Sequence, residues 1–289
     1  MSAGRIIPII ADDSGQRIVS IRASSWGSLF DCAYKWEGEQ LLGMRKPSGL
    51  RAQLGTAIHA GTALFDNGRL PGAAAVSVDD AAGVFVDTLK YPAGDVDYGQ
   101  DALTVRDAER IGLALTSIYC LDMSPGFEFT SVEQRLQPLD IDCGDGQVIR
   151  LTGSMDRARV AMTSSGLVIP DLKTGARAVA AGQANIKGRS AQLGTYQIMK
   201  SAEGIPAVGS QVLALKTSGK PEGAVSPVWD ARPLMLGTDD APGLLEHAAN
   251  MLRTGLFPPN PQSMLCSPKY CARWPVCPYH ESDSTTTED

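Results

Sequence analysis

The chain has 289 residues, 43% of them hydrophobic and 20% charged, and a formal net charge of −6 at pH 7. This composition is ordinary for a globular protein with a sizeable core, and the acidity argues against a surface that coats nucleic acid while remaining compatible with a local basic groove. Apolar runs stay short of the ~20 residues of a membrane-spanning helix, and the N-terminus makes a poor signal peptide because acids follow its short apolar patch. We therefore expect a cytoplasmic protein with no membrane partner.

Helical periodicity dominates the first part of the chain. Apolar residues at helical spacing predict helices within residues 20–46, 53–65 and 101–121. Residues 70–98 instead mix an alanine-rich segment with a loop rich in proline and glycine. We therefore expect a helical region ahead of the sheet.

The middle of the chain favours strands. Alternating residues predict strands at 127–139, 147–160 and 166–174, and the Gly-Asp-Gly and Ser-Ser-Gly segments between them are typical of hairpin turns. The later elements are, in chain order, a helix at 190–203, strands at 211–216 and 224–229, and a helix at 242–254. This order predicts an α/β fold with a mixed α+β sheet, in which helices pack on a sheet that contains a three-stranded antiparallel meander.

The domain organisation follows from composition at the two ends. We expect a single domain at 20–280, preceded by an N-terminal extension at 1–19. Residues 281–289 are polar and acidic without apolar anchors, which predicts a disordered tail that solubilises the chain or binds a basic partner.

A short apolar run ends in Asp171-Leu172-Lys173. Because side chains alternate along a strand, Asp171 and Lys173 are predicted to point to the same side, with Leu172 facing the core. A carboxylate beside an ammonium can bind a divalent metal and stabilise a nearby anion. The alternative is a surface ion pair, which contributes little to stability.

Two further residues offer metal ligands near this pair. Asp156 lies late in the preceding predicted strand, so a hairpin can place it opposite Asp171, and two carboxylates suit Mg²⁺ or Mn²⁺. Alternatively, Asp156 is a turn acid paired with Arg157 or Arg159. His59 lies between small residues on an earlier predicted helix, where the alternative is an ordinary core or surface histidine.

The segment after the acid and lysine supplies polar and basic groups. Gln192 and Tyr196 are four residues apart on a predicted helix, so they share one face, where they can contact a phosphate or hold the lysine. Lys173, Arg177, Lys187 and Arg189 form a positive run that supplies a local basic surface. The alternatives are an ordinary amphipathic helix and a solvated loop.

Three of the six cysteines, Cys266, Cys271 and Cys277, cluster among prolines near the end of the chain. Three thiolates in one rigid loop indicate a soft-metal site whose fourth ligand decides the metal. His280 would complete a zinc site, whereas Cys32 would complete a four-cysteine iron–sulfur site. The other two cysteines, Cys120 and Cys143, are expected to be free.

Together these residues resemble the motifs of the PD-(D/E)XK nuclease superfamily, specifically its RecB-like branch of CRISPR-associated and phage exonucleases. The resemblance covers residues 20–280 and rests on a helix histidine, an acid after a glycine, an acid-x-lysine strand end and a Q-x-x-x-Y helix. In this chain the matching positions are His59, Gly153 to Asp156, Asp171 to Lys173, and Gln192 to Tyr196. The resemblance implies a restriction-endonuclease-like core, with a C-terminal segment fastened by a metal.

The resemblance also implies a function. The chain would be a Mg²⁺- or Mn²⁺-dependent deoxyribonuclease, acting on DNA ends or single strands in recombination, repair, phage or CRISPR-adaptation processing, with a possible homo-oligomer or partner protein. The implied metal ligands are His59, Asp156 and Asp171, with Lys173 as a catalytic residue. Implied substrate contacts come from five residues, Gln192, Tyr196, Arg177, Lys187 and Arg189.

Two features of the resemblance leave alternatives open. The family's cysteine pattern implies a [4Fe–4S] cluster on Cys32 and the C-terminal trio, but the wider spacing of Cys266 and Cys271 leaves Zn²⁺ as an alternative. Glu133 resembles an upstream family acid without an assigned role, and it could simply pair with Arg135 or another basic neighbour. A rival function is a non-catalytic DNA-binding or interaction module held together by a zinc or iron–sulfur site.

Overall fold

The computed structural model of the protein describes residues 10–11, 15–162 and 165–281. The helices are α1 (Trp26–Asp31), α2 (Ala33–Gln40), α3 (Leu50–Asn67), α4 (Val78–Lys90), α5 (Val105–Ile118), α6 (Ser190–Ala202), α7 (Arg232–Leu236) and α8 (Leu244–Thr254). The strands are β1 (Ile10–Ala11), β2 (Arg17–Arg22), β3 (Ser48–Gly49), β4 (Val96–Asp97), β5 (Phe129–Arg135), β6 (Leu139–Asp142), β7 (Gln147–Thr152), β8 (Ser154–Val160), β9 (Leu167–Gly175), β10 (Val179–Ala180), β11 (Gln183–Ala184), β12 (Ala207–Lys216), β13 (Glu222–Val225), β14 (Gly237–Thr238) and β15 (Ala241–Pro242).

The central sheet has five strands in the order β13-β12-β9-β8-β5. Strands β9 and β12 are parallel, and the connection between them contains α6, while the other neighbours are antiparallel. The α/β fold with a mixed sheet and helices packed on it is therefore confirmed.

Helices cover both faces of this sheet because side chains alternate along its strands. On β12, Leu213 and Leu215 pack with Leu172 among the buried residues of α3, α4 and α5. Their neighbours Val212 and Ala214 face the opposite core, which contains residues of α1, α2, α6 and α8. Leu172 is fully buried, as its predicted orientation toward the core requires.

A second sheet, with the order β1-β2-β7-β6, was not predicted. Residues 147–160 were expected to form one strand, but Gly153 divides them into β7, which pairs in parallel with β2, and β8, which belongs to the central sheet. A Cβ atom at Gly153 would lie 2.7 Å from Cε1 of Tyr196 and 3.2 Å from Cβ of Ala23. Only glycine allows the chain to pass this close as it moves from one sheet to the other.

The predicted helix at 20–46 is also wrong in its extent. Residues up to Arg22 form β2, which begins at Arg17 inside the predicted N-terminal extension. Cys32 then takes an extended conformation (φ −148°, ψ 97°) that separates α1 from α2. The predicted strand at 127–139 is likewise shorter, because β5 ends at Arg135 and β6 begins only at Leu139.

Helix α4 was missed in the alanine-rich segment at 70–98. Its N-terminus carries a capping box, in which the Ser77 hydroxyl accepts from the backbone N–H of Asp80 and the Asp80 carboxylate accepts from Ser77. The predicted strand at 224–229 ends at Val225, and Trp229 forms an isolated bridge with Ser210.

Most of both predicted chain ends lies outside the described residues. This holds for the acidic tail except for Glu281, and for most of the N-terminal extension. Within the ranges that the structure describes, every helix is too short or too polar to cross a membrane.

Candidate active site

The site forms where β8 and β9 separate. Backbone pairing between them is confined to Arg159↔Val168 and Val160↔Leu167. Continuing this register would place Asp156 opposite Asp171, as the hairpin predicted, but the carboxylate Oδ2 of Asp156 instead accepts a hydrogen bond from the backbone N–H of Leu172 at 2.8 Å. The Asp156 side chain therefore replaces the backbone hydrogen bonds between the two strands at this point, and a polar gap opens between β8 and β9.

Three metal-binding side chains converge at this gap. One ligand atom each from His59 on α3, Glu133 on β5 and Asp156 on β8 all lie within 4.8 Å of one another, and Nδ1 of His59 is 3.6 Å from Oδ2 of Asp156. The register pairs Val132↔Arg157 and Gln134↔Met155 flank Glu133 and Asp156, which therefore lie opposite each other. Two carboxylates and an imidazole fit a hard divalent cation such as Mn²⁺ or Mg²⁺.

Helix α3 can bring His59 this close because it carries a glycine where it crosses β9. A Cβ atom at Gly55 would lie 2.7 Å from Oγ1 of Thr174. The backbone of Glu133 is also unusual, since its φ of 48° is in the left-handed region that few non-glycine residues adopt. Such strain is common at functional sites, where the surrounding structure holds it in place.

Asp171 and Lys173 lie on the same side of β9, as predicted. Nζ of Lys173 is 2.6 Å from Oδ2 of Asp171, which is fully buried. The predicted helix face is also present: Nε2 of Gln192 lies 3.0 Å from the Tyr196 hydroxyl and 3.4 Å from Oδ1 of Asp171. Helix α6 therefore contacts the acid of the Asp171–Lys173 pair.

Two carboxylates of the site, Asp171 and Glu133, have raised pKa values because they are buried and lie close to Asp156. Burial and the negative charge of Asp156 raise the pKa of Asp171 to about 6, although Lys173 acts in the opposite direction. Burial and Asp156 likewise raise the pKa of Glu133 to about 7. Burial lowers the pKa of His59, so its imidazole is neutral at pH 7 and able to bind a metal. This excess of negative charge is what a bound cation would neutralise.

A buried polar network behind the site was missed by the sequence analysis. The guanidinium of Arg157 donates to Oδ2 of Asp66 at 2.7 Å, and both side chains are fully buried. Asp66 also accepts from the hydroxyls of Tyr119 (2.6 Å) and Ser124 (2.5 Å). An acid within a long helix gives no sequence signal of such a role, because the partners lie far away along the chain.

This network reaches the site through Glu133. Nη1 of Arg157 lies 3.2 Å from Oε1 of Glu133 and 3.2 Å from the backbone carbonyl oxygen of Asp156. Arg157 thus pairs with Glu133 and Asp66, and the expected pairing of Glu133 with a basic neighbour involves Arg157. The other candidate partner of Asp156, Arg159, donates to Gln211 instead.

The basic run after β9 divides into two parts. Arg177 and Lys187 are exposed on the segment between β9 and α6. Arg189 is half-buried, and its positive charge acts to lower the pKa of Asp171. Its Nε atom is buried without a hydrogen-bond partner among the described residues.

The four cysteines of the predicted iron–sulfur site line one cavity. Cys32, at the junction of α1 and α2, lines this small cavity together with Cys266, Cys271 and Cys277. Burial raises the pKa values of Cys266 and Cys271, and the other thiols of the group raise them further. His280 does not line this cavity: its ring packs against Trp274 and its Nδ1 lies 2.7 Å from the Cys277 carbonyl oxygen.

The last part of the described chain is fastened to α1 and α2. Arg273 is buried, forms an ion pair of 2.5 Å with Glu37 and lies 3.7 Å over the ring of Tyr34. Asn260 donates to the backbone carbonyl of Asp31 at 2.9 Å and, through its backbone N–H, to the sulfur of Cys32. The two remaining cysteines are outside this region: Cys120 is buried and Cys143 half-buried, and neither forms a disulfide.

Comparison with known families agrees with this geometry. The family model of the PD-(D/E)XK nuclease superfamily matches residues 23–278. A search of curated proteins finds no match.

Proposed function

The chain belongs to the PD-(D/E)XK nuclease superfamily, and from this we propose that it is a metal-dependent deoxyribonuclease that hydrolyses phosphodiester bonds. The observation that carries the proposal is the convergence of His59, Glu133 and Asp156 beside the Asp171–Lys173 pair. Metal ligands and a lysine beside one gap between strands are the parts that phosphodiester hydrolysis needs.

The proposed ligands of Mg²⁺ or Mn²⁺ are His59, Glu133 and Asp156, with Asp171 beside them. Glu133 joins the set expected from the sequence because its carboxylate belongs to the group within 4.8 Å. When bound, the cation supplies charge neutralisation at the phosphate and lowers the pKa of a water molecule. The hydrogen bond from the Leu172 N–H orients the Asp156 carboxylate before any ion binds, and the lowered pKa of His59 leaves its imidazole neutral and able to bind the ion.

Lys173 is the proposed catalytic lysine. Its side chain is only 16% exposed, and its ammonium is held by Asp171 at the edge of the gap. From there it can donate to the attacking water and to the phosphate oxygen on which negative charge develops. Gln192 and Tyr196 act as positioning residues, because Gln192 contacts the Asp171 carboxylate and the Tyr196 hydroxyl holds the Gln192 amide in place.

The substrate side of the proposal follows the basic groups. Arg189 has a buried Nε atom without a partner in the described chain and lies near Asp171, so it is the best placed of the basic run to contact a phosphate. Arg177 and Lys187 are exposed and would contact DNA further away. We further propose action on DNA ends or single strands in recombination, repair, phage or CRISPR-adaptation processing, alone, as a homo-oligomer or with a partner protein.

The proposed second metal group is a [4Fe–4S] cluster on Cys32, Cys266, Cys271 and Cys277. A four-coordinate zinc with Zn–S bonds of about 2.3 Å holds its sulfurs about 4 Å apart. Among the described residues, no three cysteine sulfurs lie within 4.8 Å of one another, although all four line one cavity. This wider spacing supports a cluster over a single zinc ion, and His280 is engaged elsewhere.

The decisive experiment is digestion of end-labelled linear and circular DNA by the purified protein, handled without oxygen. Products are expected with Mn²⁺ or Mg²⁺ and not with a chelator, and Lys173→Ala should abolish them. Lys90→Ala is the matched control, because Lys90 pairs with Glu109 on the surface of α4. Retarded DNA without products would favour the non-catalytic DNA-binding module, and full activity of Lys173→Ala would overturn the assignment of that residue.

The cluster is tested separately by iron, zinc and acid-labile sulfide analysis. Iron and sulfide in similar amounts are expected, with loss of both in Cys32→Ser. Cys143→Ser is the control, because Cys143 lies outside the cysteine cavity. Stoichiometric zinc that is unaffected by Cys32→Ser would overturn the proposal.

A further inference from the structure

A cleft of about 730 Å³ lies where the two sheets meet at Gly153. Its lining is polar and basic, with three arginines and a set of hydroxyl and amide side chains. The lining residues that carry the argument are Arg22, Arg45, Arg135, Thr152, Ser154 and Tyr196. We name it the arginine cleft.

The charge of the arginine cleft is opposite to that of the whole chain. The chain carries a net charge of −6, yet no carboxylate lines the cleft. Within the part of the chain that the structure describes, Arg22, Arg45 and Arg135 form no ion pair, and all three are exposed. Three guanidinium groups without internal partners concentrate positive potential at this place.

Strand ends hold two of these arginines in fixed positions. Arg22 pairs in register with Thr152 in the smaller sheet, and Arg135 pairs with Ser154 in the central sheet. Gly153 connects Thr152 to Ser154, so the two walls of the cleft are joined by a single residue. A site built on paired strands presents its side chains in a more fixed geometry than a loop does.

The arginine cleft continues into the candidate active site. The Tyr196 ring lines it against Gly153, while the Tyr196 hydroxyl contacts Gln192, which in turn contacts Asp171. Along β8, Ser154 precedes Asp156 by two residues, about 7 Å at the usual rise of a strand. A strand of nucleic acid that places one phosphate at Asp156 therefore has neighbouring phosphates within reach of the cleft.

We propose that the arginine cleft binds backbone phosphates of the DNA strand next to the phosphodiester that reacts. The inference rests on the proposed nuclease function for the location of the reacting phosphate. Guanidinium groups form charge-assisted, often bidentate hydrogen bonds with phosphate, and hydroxyl side chains add contacts that carry no sequence information. The cleft thus holds the strand in position without selecting its sequence.

The test measures DNA binding without cleavage. Anisotropy of a labelled single-stranded DNA of about 15 nucleotides is recorded in a chelator, at salt concentrations between about 50 and 300 mM. The plot of the logarithm of the association constant against the logarithm of the salt concentration has a negative slope. For the triple variant Arg22→Gln, Arg45→Gln, Arg135→Gln, the magnitude of this slope should decrease by about 2, because each lost phosphate contact on a single strand removes about 0.7. The same arithmetic gives a loss of affinity of about a hundredfold at 0.1 M salt.

The control variant is Arg106→Gln, which removes an exposed arginine of α5 outside the cleft and should leave the slope unchanged. If circular dichroism shows that the triple variant does not fold, the single variant Arg45→Gln replaces it as the test, because Arg45 lies in a loop. Its loss should decrease the magnitude of the slope by about 0.7. An unchanged slope in the variant used for the test would overturn the proposal that the arginine cleft binds phosphates.

The cleft and the nuclease activity can fail independently. Cleavage by the unaltered protein with Mn²⁺, together with an unchanged slope in the variant, would overturn the cleft and leave the proposed activity intact. A reduced slope in the variant, with no cleavage by the unaltered protein, would support the cleft and overturn the activity.

Discussion

Two buried arginines, Arg157 and Arg273, support different parts of the molecule in different ways. Arg157 is paired with Asp66 and has further partners in Glu133, Thr62 and a backbone carbonyl oxygen. Arg273 is paired with Glu37 and covers the ring of Tyr34, but its Nε and Nη2 atoms have no hydrogen-bond partner among the described residues. Both ion pairs are almost completely buried.

The difference between them follows from what each arginine holds. Arg157 orients Glu133, a carboxylate of the candidate site, and each nitrogen of its guanidinium has a hydrogen-bond partner. Arg273 fastens the end of the described chain to α2 through one nitrogen, Nη1, which donates to Glu37 and to the backbone carbonyl oxygen of Tyr34, and through its contact with the Tyr34 ring. A fully satisfied buried network fixes the geometry of its members. We infer that the partly satisfied contacts of Arg273 serve mainly to attach the end of the described chain.

Removal of Arg157 should have the largest effect. Arg157→Met leaves Asp66 as an uncompensated buried charge, which is expected to lower the free energy of unfolding by about 3–5 kcal/mol. Urea denaturation measures this. The control is Arg150→Met, whose surface pair with Asp140 should contribute at most about 1 kcal/mol. Equal effects of the two substitutions would contradict the central role of the network.

Removal of Arg273 should cost less than removal of Arg157. Arg273→Met strands Glu37, but it also eliminates two unsatisfied nitrogens, so we expect a loss of about 3 kcal/mol, at the low end for a broken buried pair. The same denaturation series gives the value. If this substitution proved as costly as Arg157→Met, the distinction between positioning and attachment would be wrong.

Thr62→Val would leave Arg157 with an unpartnered buried nitrogen, as Arg273 already has. The substitution removes the hydroxyl that accepts from Nη2 of Arg157 at 3.2 Å and leaves one buried donor unsatisfied. The expected loss of stability is about 1–2 kcal/mol, again by urea denaturation. Thr56→Val is the matched control on the same helix, because Thr56 is exposed and its hydroxyl only donates to the backbone of Ala52. No difference between the two variants would show that the network tolerates an open position.

The smallest effect concerns pH. Because the pKa of Glu133 is raised from 4.5 to about 7, the folded protein holds this proton more tightly than the unfolded chain. Its contribution to stability is fully present below about pH 4.5 and is lost as the pH rises through about 7. The Glu133 side chain is 43% exposed, so solvent screening keeps the contribution small.

Glu133→Gln should remove this dependence. Unfolding is measured in a chelator between pH 5 and pH 8, and the unaltered protein should lose stability relative to Glu133→Gln as the pH rises. Glu128→Gln, at an exposed glutamate before β5, is the control and should follow the unaltered protein. Parallel curves for Glu133→Gln and the unaltered protein would contradict the raised pKa.

Local spacing was sufficient to predict several parts of the site. Asp171 and Lys173 share one side because of the period of a strand, and Gln192 and Tyr196 share one face because of the period of a helix. Turn residues predicted the approach of β8 to β9, and hence of Asp156 to Asp171. The roles of these residues remain proposals.

What the sequence could not predict depends on distant partners. The pairing of β2 with β7 joins residues about 130 positions apart, and the Asp66–Arg157 pair spans 91 positions, so no local pattern indicates either. The change of sheet at Gly153 was not predictable from the alternating pattern, because the Tyr196 ring that requires a glycine there comes from α6. Cys32 breaks a helix for a similar reason, since its surroundings come from the other end of the chain.

The attachment by Arg273 also sets an order of events during synthesis. Tyr34 and Arg273 are 239 positions apart, so ribosomes adding roughly 5–20 residues per second produce them on the order of 10 to 50 s apart. Throughout that interval Glu37 lacks its buried partner. Cys32 likewise lacks the residues near the end of the described chain that line the cysteine cavity with it. Helices α1 and α2 therefore leave the ribosome long before their packing is complete, because the Arg273 that covers them is made so much later.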